Sequence, residues 1–257
     1  MTRPGYPTVT VTAGAAIANG APASQTLDRG LRALELVAAA ARPMTTADVA
    51  HALDLHRSIT YRMLRTLEDR RLVDRDPAGA WLPGAGLAVL ATNVVPEVRA
   101  AAQPVIEALA DDTAMTAFLV IRDHDEAVTV SVVEPRSAVA HVTYRPGKRH
   151  PVHRGAPGLA LLAGARESAE SSSSELRPEV IECRDRGWAY SESEVLPGMK
   201  SVAAPVLDDD GTCRAAVALV FVGEHDLDTL GRRVAAAATE VAHRARHMSK
   251  SRPTGPA

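Results

Sequence analysis

Between Thr45 and Trp81 the apolar positions change their period, and each change marks an element. Thr45 or Thr46 can cap a helix, because a threonine oxygen accepts from one of the N–H groups left free there. Val49, Ala50 and Leu53 then make one apolar face over two turns. Asp54-Leu55-His56 breaks the pattern. A second helix is predicted from about Arg57 to Arg70, with Ile59, Met63, Leu64 and Leu67 on its inner side. Its outer side is assigned Arg57, Ser58, Thr60, Tyr61, Arg62 and Arg65. After it, Leu72 to Arg75 and Ala80 to Leu82 read as short strands around the turn Asp76-Pro77-Ala78-Gly79. The pattern is a helix-turn-helix followed by a wing, with Trp81 packing the wing onto the helices.

The outer side of the second helix suits DNA. A helix of roughly fourteen residues is a rod of about 21 Å, and a helix fits the major groove. Arginine forks pair with guanine edges or phosphates, and Ser, Thr and Tyr hydroxyls bond phosphates and fix register. Arg75, at the start of the wing turn, is placed to approach a flanking phosphate or groove. A solvated basic face would look similar in isolation. The capped first helix, the short turn and the hairpin together favour a DNA-binding domain.

Upstream, residues 1–24 are rich in Pro, Gly, Ala and Thr without a sustained period, and read as a disordered tail. From Gln25, Leu27, Leu31, Leu34, Leu36 and Val37 mark an amphipathic helix expected to supply a core wall. The winged domain is expected over 25–84, and a linker helix over 85–97, with Leu87, Leu90 and Ala91 as an apolar seam suited to dimerisation. Pro96 suits the first turn of the next helix, to about Leu109. An effector-binding domain is expected over 98–248 and a tail over 249–257. Its strands are predicted at Ala117–Ile121, Ala127–Val133, Ala138–Tyr144, Trp188–Ser191, Ser201–Leu207 and Arg214–Val222. Its helices fall at about Gly158–Ala165, Pro178–Arg186 and Asp226–Met248, with Gly187 as a C-cap. Ser171–Ser174 reads as a surface loop and Asp208–Gly211 as a hairpin turn. Strands joined by short turns, with helices at the ends, make an α+β domain with an antiparallel sheet.

Composition narrows the function. The 257 residues carry a net charge of −2, so this is no generally basic nucleic-acid coat. Six arginines between Arg57 and Arg75 concentrate positive charge locally, and site binding would need two or more such domains acting together. Aromatics at 3 % leave the core to Ala, Val and Leu. Two cysteines, Cys183 and Cys213, form no disulfide framework. With no secretory or membrane-length apolar run, a cytoplasmic protein is expected.

Four stretches resemble the IclR family of transcriptional regulators: QTLDRGLRALELV, LDLHRSITYRMLRTLEDRRLVDRD, GKRHPVHRGAPGLALLA and GWAYSESEVLPGMKSVAAPVLDDDGTCRAAVAL. Their order, over about Gln25 to Met248, strengthens the likeness. The resemblance implies a homodimer or tetramer that binds double-stranded DNA, with repression as the expected sign. It also implies a GAF-like C-terminal domain that binds a small effector between the sheet and the loop-helix segment. By motif position, Gly155 and Ala156 would face the ligand from the helix start, and Met199, Ser201, Ala218 and Val220 would border the cavity. A helix N-terminus with free N–H groups takes a carboxylate, which points to an organic acid. The family's His-Ala-Thr/Ser-Ala loop and the Lys after its Gly are here replaced by His153-Arg154-Gly155-Ala156-Pro157-Gly158-Leu159. Ala218 and Val220 replace positions that are often polar. These departures point to a more apolar pocket and a larger or less charged effector, with aromatic or apolar compounds included. In the second helix Ser58, Tyr61 and Arg62 match the family, whereas Ile59 stands where Thr is common.

No nucleophile elbow, phosphate loop or dinucleotide fingerprint occurs, so neither an enzyme nor a cofactor is expected. His150/His153 and His243/His247 lack the third and fourth ligands of a zinc site, and Asp208–Asp210 lack those of a calcium loop. No metal is expected. The alternative reading is a metabolite-binding module or enzyme whose winged domain contacts protein.

Overall fold

The computed structural model describes residues 24–92, 94–136, 142–165 and 177–250, and divides the chain into two compact units between Val94 and Val95. The expected N-terminal tail through residue 23, the loop at Ser171–Ser174 and the tail from residue 251 lie outside the described residues.

The first unit runs α1 (Gln25–Ala39), α2 (Thr46–Leu53), α3 (Arg57–Asp69), β1 (Val73–Arg75), β2 (Trp81–Pro83) and α4 (Gly86–Ala91). Its core is built from Ala33, Val37, Val49, Leu64, Val73 and Trp81. Trp81 is the wing's anchor. Its backbone pairs with Met44 in both directions, at 2.9 and 2.7 Å, and its Nε1–H donates to Thr46 Oγ1 at 3.0 Å. The expected apolar wall of α1 is kept at Leu34 and Val37, which pack on this core, and lost at its first two leucines. Leu27 and Leu31 are 62 % and 47 % exposed, while the smaller Ala33 and Val37 face inward. The inner contact is a close approach to α3, which short side chains permit.

The second unit runs α5 (Pro96–Thr113), β3 (Thr116–Asp123), β4 (Glu126–Val133), β5 (Arg149–Pro151), α6 (Gly155–Ala163), α7 (Pro178–Arg186), β6 (Ala189–Glu192), β7 (Lys200–Leu207), β8 (Cys213–Phe221) and α8 (Leu227–Lys250). One antiparallel sheet has the order β5-β4-β3-β8-β7-β6. Period-2 alternation sends its side chains to two cores. Ala117 and Leu119 of β3, with Ala215, Val217, Leu219 and Phe221 of β8, pack beneath α5 and α8. Phe118, Val120, Ala216, Ala218 and Val220 point the other way, toward α6 and α7. A sheet covered on both faces needs near-continuous apolar strands, which explains runs such as Ala215–Phe221.

Two sequence expectations change here. The strand expected at Ala138–Tyr144 falls partly outside the described residues, and Val142–Tyr144 are not in a strand. The sheet's edge is β5 instead, which pairs Ala127 with His150. The helix expected from Gly158 begins at Gly155. Gly158 sits inside it because a Cβ there would come within 2.2 Å of the Val152 carbonyl oxygen.

Candidate nucleic-acid interface and effector pocket

Both ends of α2 are chemically defined, and so is the start of α3. Thr45 and Asp48 form a capping box: Asp48 N–H donates to Thr45 Oγ1 at 3.1 Å, and Thr45 N–H donates to Asp48 Oδ2 at 2.9 Å. Asp54 ends α2 in the left-handed region, at φ 52°. His56 then caps α3. Its Nδ1 accepts from Ser58 N–H at 3.3 Å, and the Ser58 hydroxyl lies 2.9 Å from the same nitrogen. The break read at Asp54-Leu55-His56 is therefore a helix stop followed directly by a helix start.

On α3, Arg57, Ser58, Tyr61, Arg62 and Arg65 are exposed. Arg57 and Arg62 have no ion-pair or hydrogen-bond partner for their side chains among the described residues. Arg65 is engaged, 2.9 Å from Glu68 and 3.8 Å from Asp69. Thr60 does not belong to this surface. It is fully buried, and its Oγ1 donates to the His56 carbonyl at 3.3 Å. At about 100° per residue, Thr60 falls within the arc of Met63, Leu64 and Leu67, with Ile59 at its edge. A threonine reads as polar in sequence, but its methyl and its local hydrogen bond let it face a core.

Arg75 also departs from its expected place. Its guanidinium lies over the Trp81 ring, 4.1 Å from the centroid, and 5.5 Å from that of Tyr61, with Nε 3.1 Å from Glu68 Oε1. Folded back this way, it braces Tyr61 and the wing and does not project from them. Tyr61 remains 44 % exposed, with its ring edge-on to Trp81 at 6.5 Å.

In the second unit a cavity of about 30 Å³ is lined by residues of β3, β5, β6, β7, β8 and α6, with the segments leading into them. Gly155, Met199, Ser201 and Val220 reach it as expected. Ala156 and Ala218 do not. Both are fully buried in the core between the sheet and α6, and their methyl groups are too short to pass the neighbouring side chains. The sequence reading missed Phe118, Tyr144, His150, Ser191 and Leu196. The rings of Phe118 and Tyr144 lie 4.7 Å apart at 30°. In a chain with two Phe and four Tyr, that scarcity was the available signal.

The cavity's polar groups are mostly committed. Ser201 Oγ donates to Leu219 O at 2.8 Å, and Ser191 Oγ accepts from Ala156 N–H at 2.7 Å. Glu194 Oε2 accepts from Gly155 N–H at 2.6 Å, and Arg177 holds the same carboxylate at 2.8 and 3.2 Å. The Arg177 hydrogen bonds keep Glu194 below the usual carboxylate range. Burial pushes His150 below its ordinary value, so it is neutral near pH 7, and its Nδ1–H donates to Pro151 O at 3.1 Å. Burial also raises Tyr144, leaving a neutral phenol, and pushes the Cys183 and Cys213 thiols up to about 11. On the outer side of α8, the exposed His243 and His247 meet Nε2 to Nε2 at 3.1 Å, and among the described residues no third metal-ligating side chain joins them.

A capped winged helix-turn-helix and a two-faced antiparallel sheet occur here in one chain, and known proteins share that combination. The family model of the IclR helix-turn-helix domain matches residues 26–77, and that of the bacterial transcriptional regulator IclR C-terminal region matches 91–174 and 169–243. The chain belongs to the IclR family. Among its relatives is the HTH-type transcriptional regulator BhcR of Paracoccus denitrificans, 28% identical over 216 residues, 75% of this chain and 76% of the relative. The HTH-type transcriptional repressor AllR of Escherichia coli is 24% identical over 216 residues, 76% and 79% of the two chains. An IclR homolog from Microbacterium hydrocarbonoxydans, solved in complex with 4-hydroxybenzoate, shares the fold at a TM-score of 0.73 and 20% identity, covering 86% of this chain and 99% of that one. So does an IclR regulator from Alicyclobacillus acidocaldarius, with a TM-score of 0.70, 23% identity and the same coverage. This IclR-family chain is thus a transcriptional regulator, as its relatives are. Among its described residues no helix is long and apolar enough to cross a membrane.

Proposed function

We propose that this IclR-family regulator represses transcription by binding a pseudo-palindromic operator as a homodimer, and that a small organic effector in the cavity of its second unit changes its hold on DNA. The observation that carries the DNA half is the state of α3's outer face. Arg57 and Arg62 stand exposed beside Ser58 and Tyr61, with no ion pair among the described residues to break before they meet DNA. Arg65 contributes after releasing Glu68, and Arg75 positions Tyr61 without being a contact itself. Thr60 belongs to the core. A two-fold dimer places two such helices about one DNA turn apart, and it acts in the cytoplasm, where its operator is.

The effector half rests on the cavity against α6. About 30 Å³ holds one or two waters and no organic molecule, so effector binding requires its cover to move. Leu196 and Met199, beyond the clasped Glu194, are the lining side chains that must give way. Binding energy spent on moving them can bias the arrangement of the DNA-binding domains only through different affinity for the two arrangements.

The decisive experiment is a mobility-shift titration on DNA upstream of the chain's own gene and its neighbours, at two salt concentrations, with and without metabolite extract. A saturable, salt-sensitive shift that the extract alters is expected. No specific shift on these fragments or in a genome-wide binding screen refutes the proposal.

A further inference from the structure

The cavity invites a carboxylate at first sight, because it opens against the N-terminal end of α6, where a helix presents unpaired N–H groups and the positive end of its dipole. In this chain every donor at that end is accounted for. Arg154 N–H donates to Pro151 O at 3.0 Å. Gly155 N–H is taken by Glu194 Oε2 at 2.6 Å and Ala156 N–H by Ser191 Oγ at 2.7 Å. The next residue, Pro157, has no N–H to offer, and Gly158 begins the helix's own ladder. The anion site is built, and the chain's own carboxylate occupies it.

That carboxylate is firmly held. Arg177 grips both oxygens of Glu194, and the rest of its guanidinium is spent on Glu179, at 2.8 and 3.2 Å, and on His153 O at 2.9 Å. The Arg154 guanidinium donates to the Glu194 carbonyl, which fixes the backbone as well. The backbone at Gly155 fits this clasp and little else. Its φ is +76°, and a Cβ would come within 2.6 Å of Val195 Cγ2. An incoming carboxylate would compete with an intramolecular one, whose effective concentration for a short flexible tether is about millimolar or more. If it bound without displacing Glu194, it would lie beside an ionised group of its own sign.

The remaining lining has the opposite preference. Phe118, Tyr144, Leu196, Met199 and Val220 supply an apolar wall, and His150 beside them is neutral. Among the described residues no lysine or arginine lines it. The tilted Phe118–Tyr144 pair offers a ring a stacking or edge contact. Met199, with its unbranched thioether, is the lining group most able to yield space. Among the described lining groups, the Glu194 carboxylate only accepts and Ser201 has given its hydrogen to Leu219 O, so both complement a donor on the ligand, while the Ser191 hydroxyl, which accepts from Ala156 N–H, keeps its own hydrogen. Taking the cavity to be the effector site, as proposed above, we infer that the effector is an uncharged aromatic compound with a hydroxyl or amide donor, and that the matching carboxylate is discriminated against.

Matched pairs test this directly. Full-length protein is titrated calorimetrically with 4-hydroxybenzamide against 4-hydroxybenzoate, and with benzamide against benzoate, in wild type and in Glu194→Gln. In wild type the amides should bind about tenfold tighter or more, the scale of a like-charge contact that is partly offset by Arg177. Glu194→Gln keeps an acceptor for Gly155 N–H but removes the charge, so the gap should narrow. Carboxylates binding as tightly as their amides, no member of either pair binding wild type, or an unchanged gap in a folded Glu194→Gln each overturn the inference. The wild-type comparison stands even if the variant does not fold. Because these titrations contain no DNA, their failure is separate from failure of the mobility shift: a chain that shifts operator DNA but prefers acids loses only the effector class.

Discussion

Replacing Arg62 with alanine probes the DNA surface with little disturbance to the fold. Arg62 is exposed and makes no ion pair or side-chain hydrogen bond among the described residues, and alanine is the better helix former. Domain stability should therefore stay within about 0.5 kcal/mol of wild type. If Arg62 reads a base edge, each recognition helix loses on the order of 1–3 kcal/mol. The proposed dimer carries two copies, so operator affinity should fall by about 2–6 kcal/mol, roughly thirtyfold to more than ten-thousandfold. If Arg62 holds a phosphate, the loss is spread over all sequences, and the slope of log K against log salt becomes shallower by about 0.9 per contact, or about 1.8 for the pair. Arg65→Ala should cost less, because Arg65 must first give up Glu68 at 2.9 Å, and an exposed ion pair is worth about 0–1 kcal/mol. Fluorescence-anisotropy titrations of labelled operator from 50 to 300 mM salt, roughly the range in which phosphate contacts dominate, separate the two roles. A folded Arg62→Ala with unchanged affinity and unchanged salt slope would remove α3's outer face from the interface.

Three further outcomes follow from the packing. Thr60→Val should leave operator binding unchanged and alter the thermal midpoint only modestly, about 1 kcal/mol or less, because the His56 carbonyl keeps backbone donors from Ile59 and Thr60; a specific loss of DNA affinity would return Thr60 to the interface. Gly158→Ala should destabilise the second unit by about 1–3 kcal/mol or more, since its Cβ would meet the Val152 carbonyl at 2.2 Å; a denaturation midpoint equal to wild type would contradict that close approach. His150 supplies a pH signature. Its folded pKa lies below 6.5, so as pH falls below 6.5 the unfolded chain takes up a proton that the folded chain resists. Its contribution is intact above that pH and is lost as pH falls through the folded value. Urea titrations between pH 7.5 and 5 should show a steeper loss in wild type than in His150→Gln, and parallel curves would count against a buried neutral histidine.

Much of the fold follows from residues that act locally. Thr45 with Asp48, Asp54, Pro96 and Gly187 begin or end helices by satisfying or withholding backbone groups within a few residues, so those boundaries could be read from the chain. The strands at Ala117–Ile121, Ser201–Leu207 and Arg214–Val222 were legible because their apolar runs sit between clear turns. Trp81 could be placed in the core because so large a ring beside a turn has little else to do. Tertiary partners decided the rest. Thr60 turned inward because Met63, Leu64 and Leu67 already set the buried arc of α3, and a threonine can complete it. Leu27 and Leu31 were left outside because the face that α1 turns to the core carries Ala33, Leu34 and Val37. Arg75 folded back because Trp81 of β2 and Tyr61 and Glu68 of α3 converge on it. The edge strand moved to Arg149–Pro151 because β4 needed a partner, which no local pattern announces.

The pocket divides in the same way. The likeness of the sequence's motifs to the IclR family was enough to expect a glycine-led helix against the sheet, with Met199, Ser201 and Val220 beside it. It could not show that Glu194, separated from Gly155 by α7 and β6, would return to fill the helix end under the grip of Arg177. Hydrogen bonds and ion pairs between distant segments depend on where the backbone brings them, and only the assembled fold does so. The tertiary structure therefore decided the chemistry of the cavity: a helix terminus that alone would favour an acid is closed to one by the chain's own carboxylate.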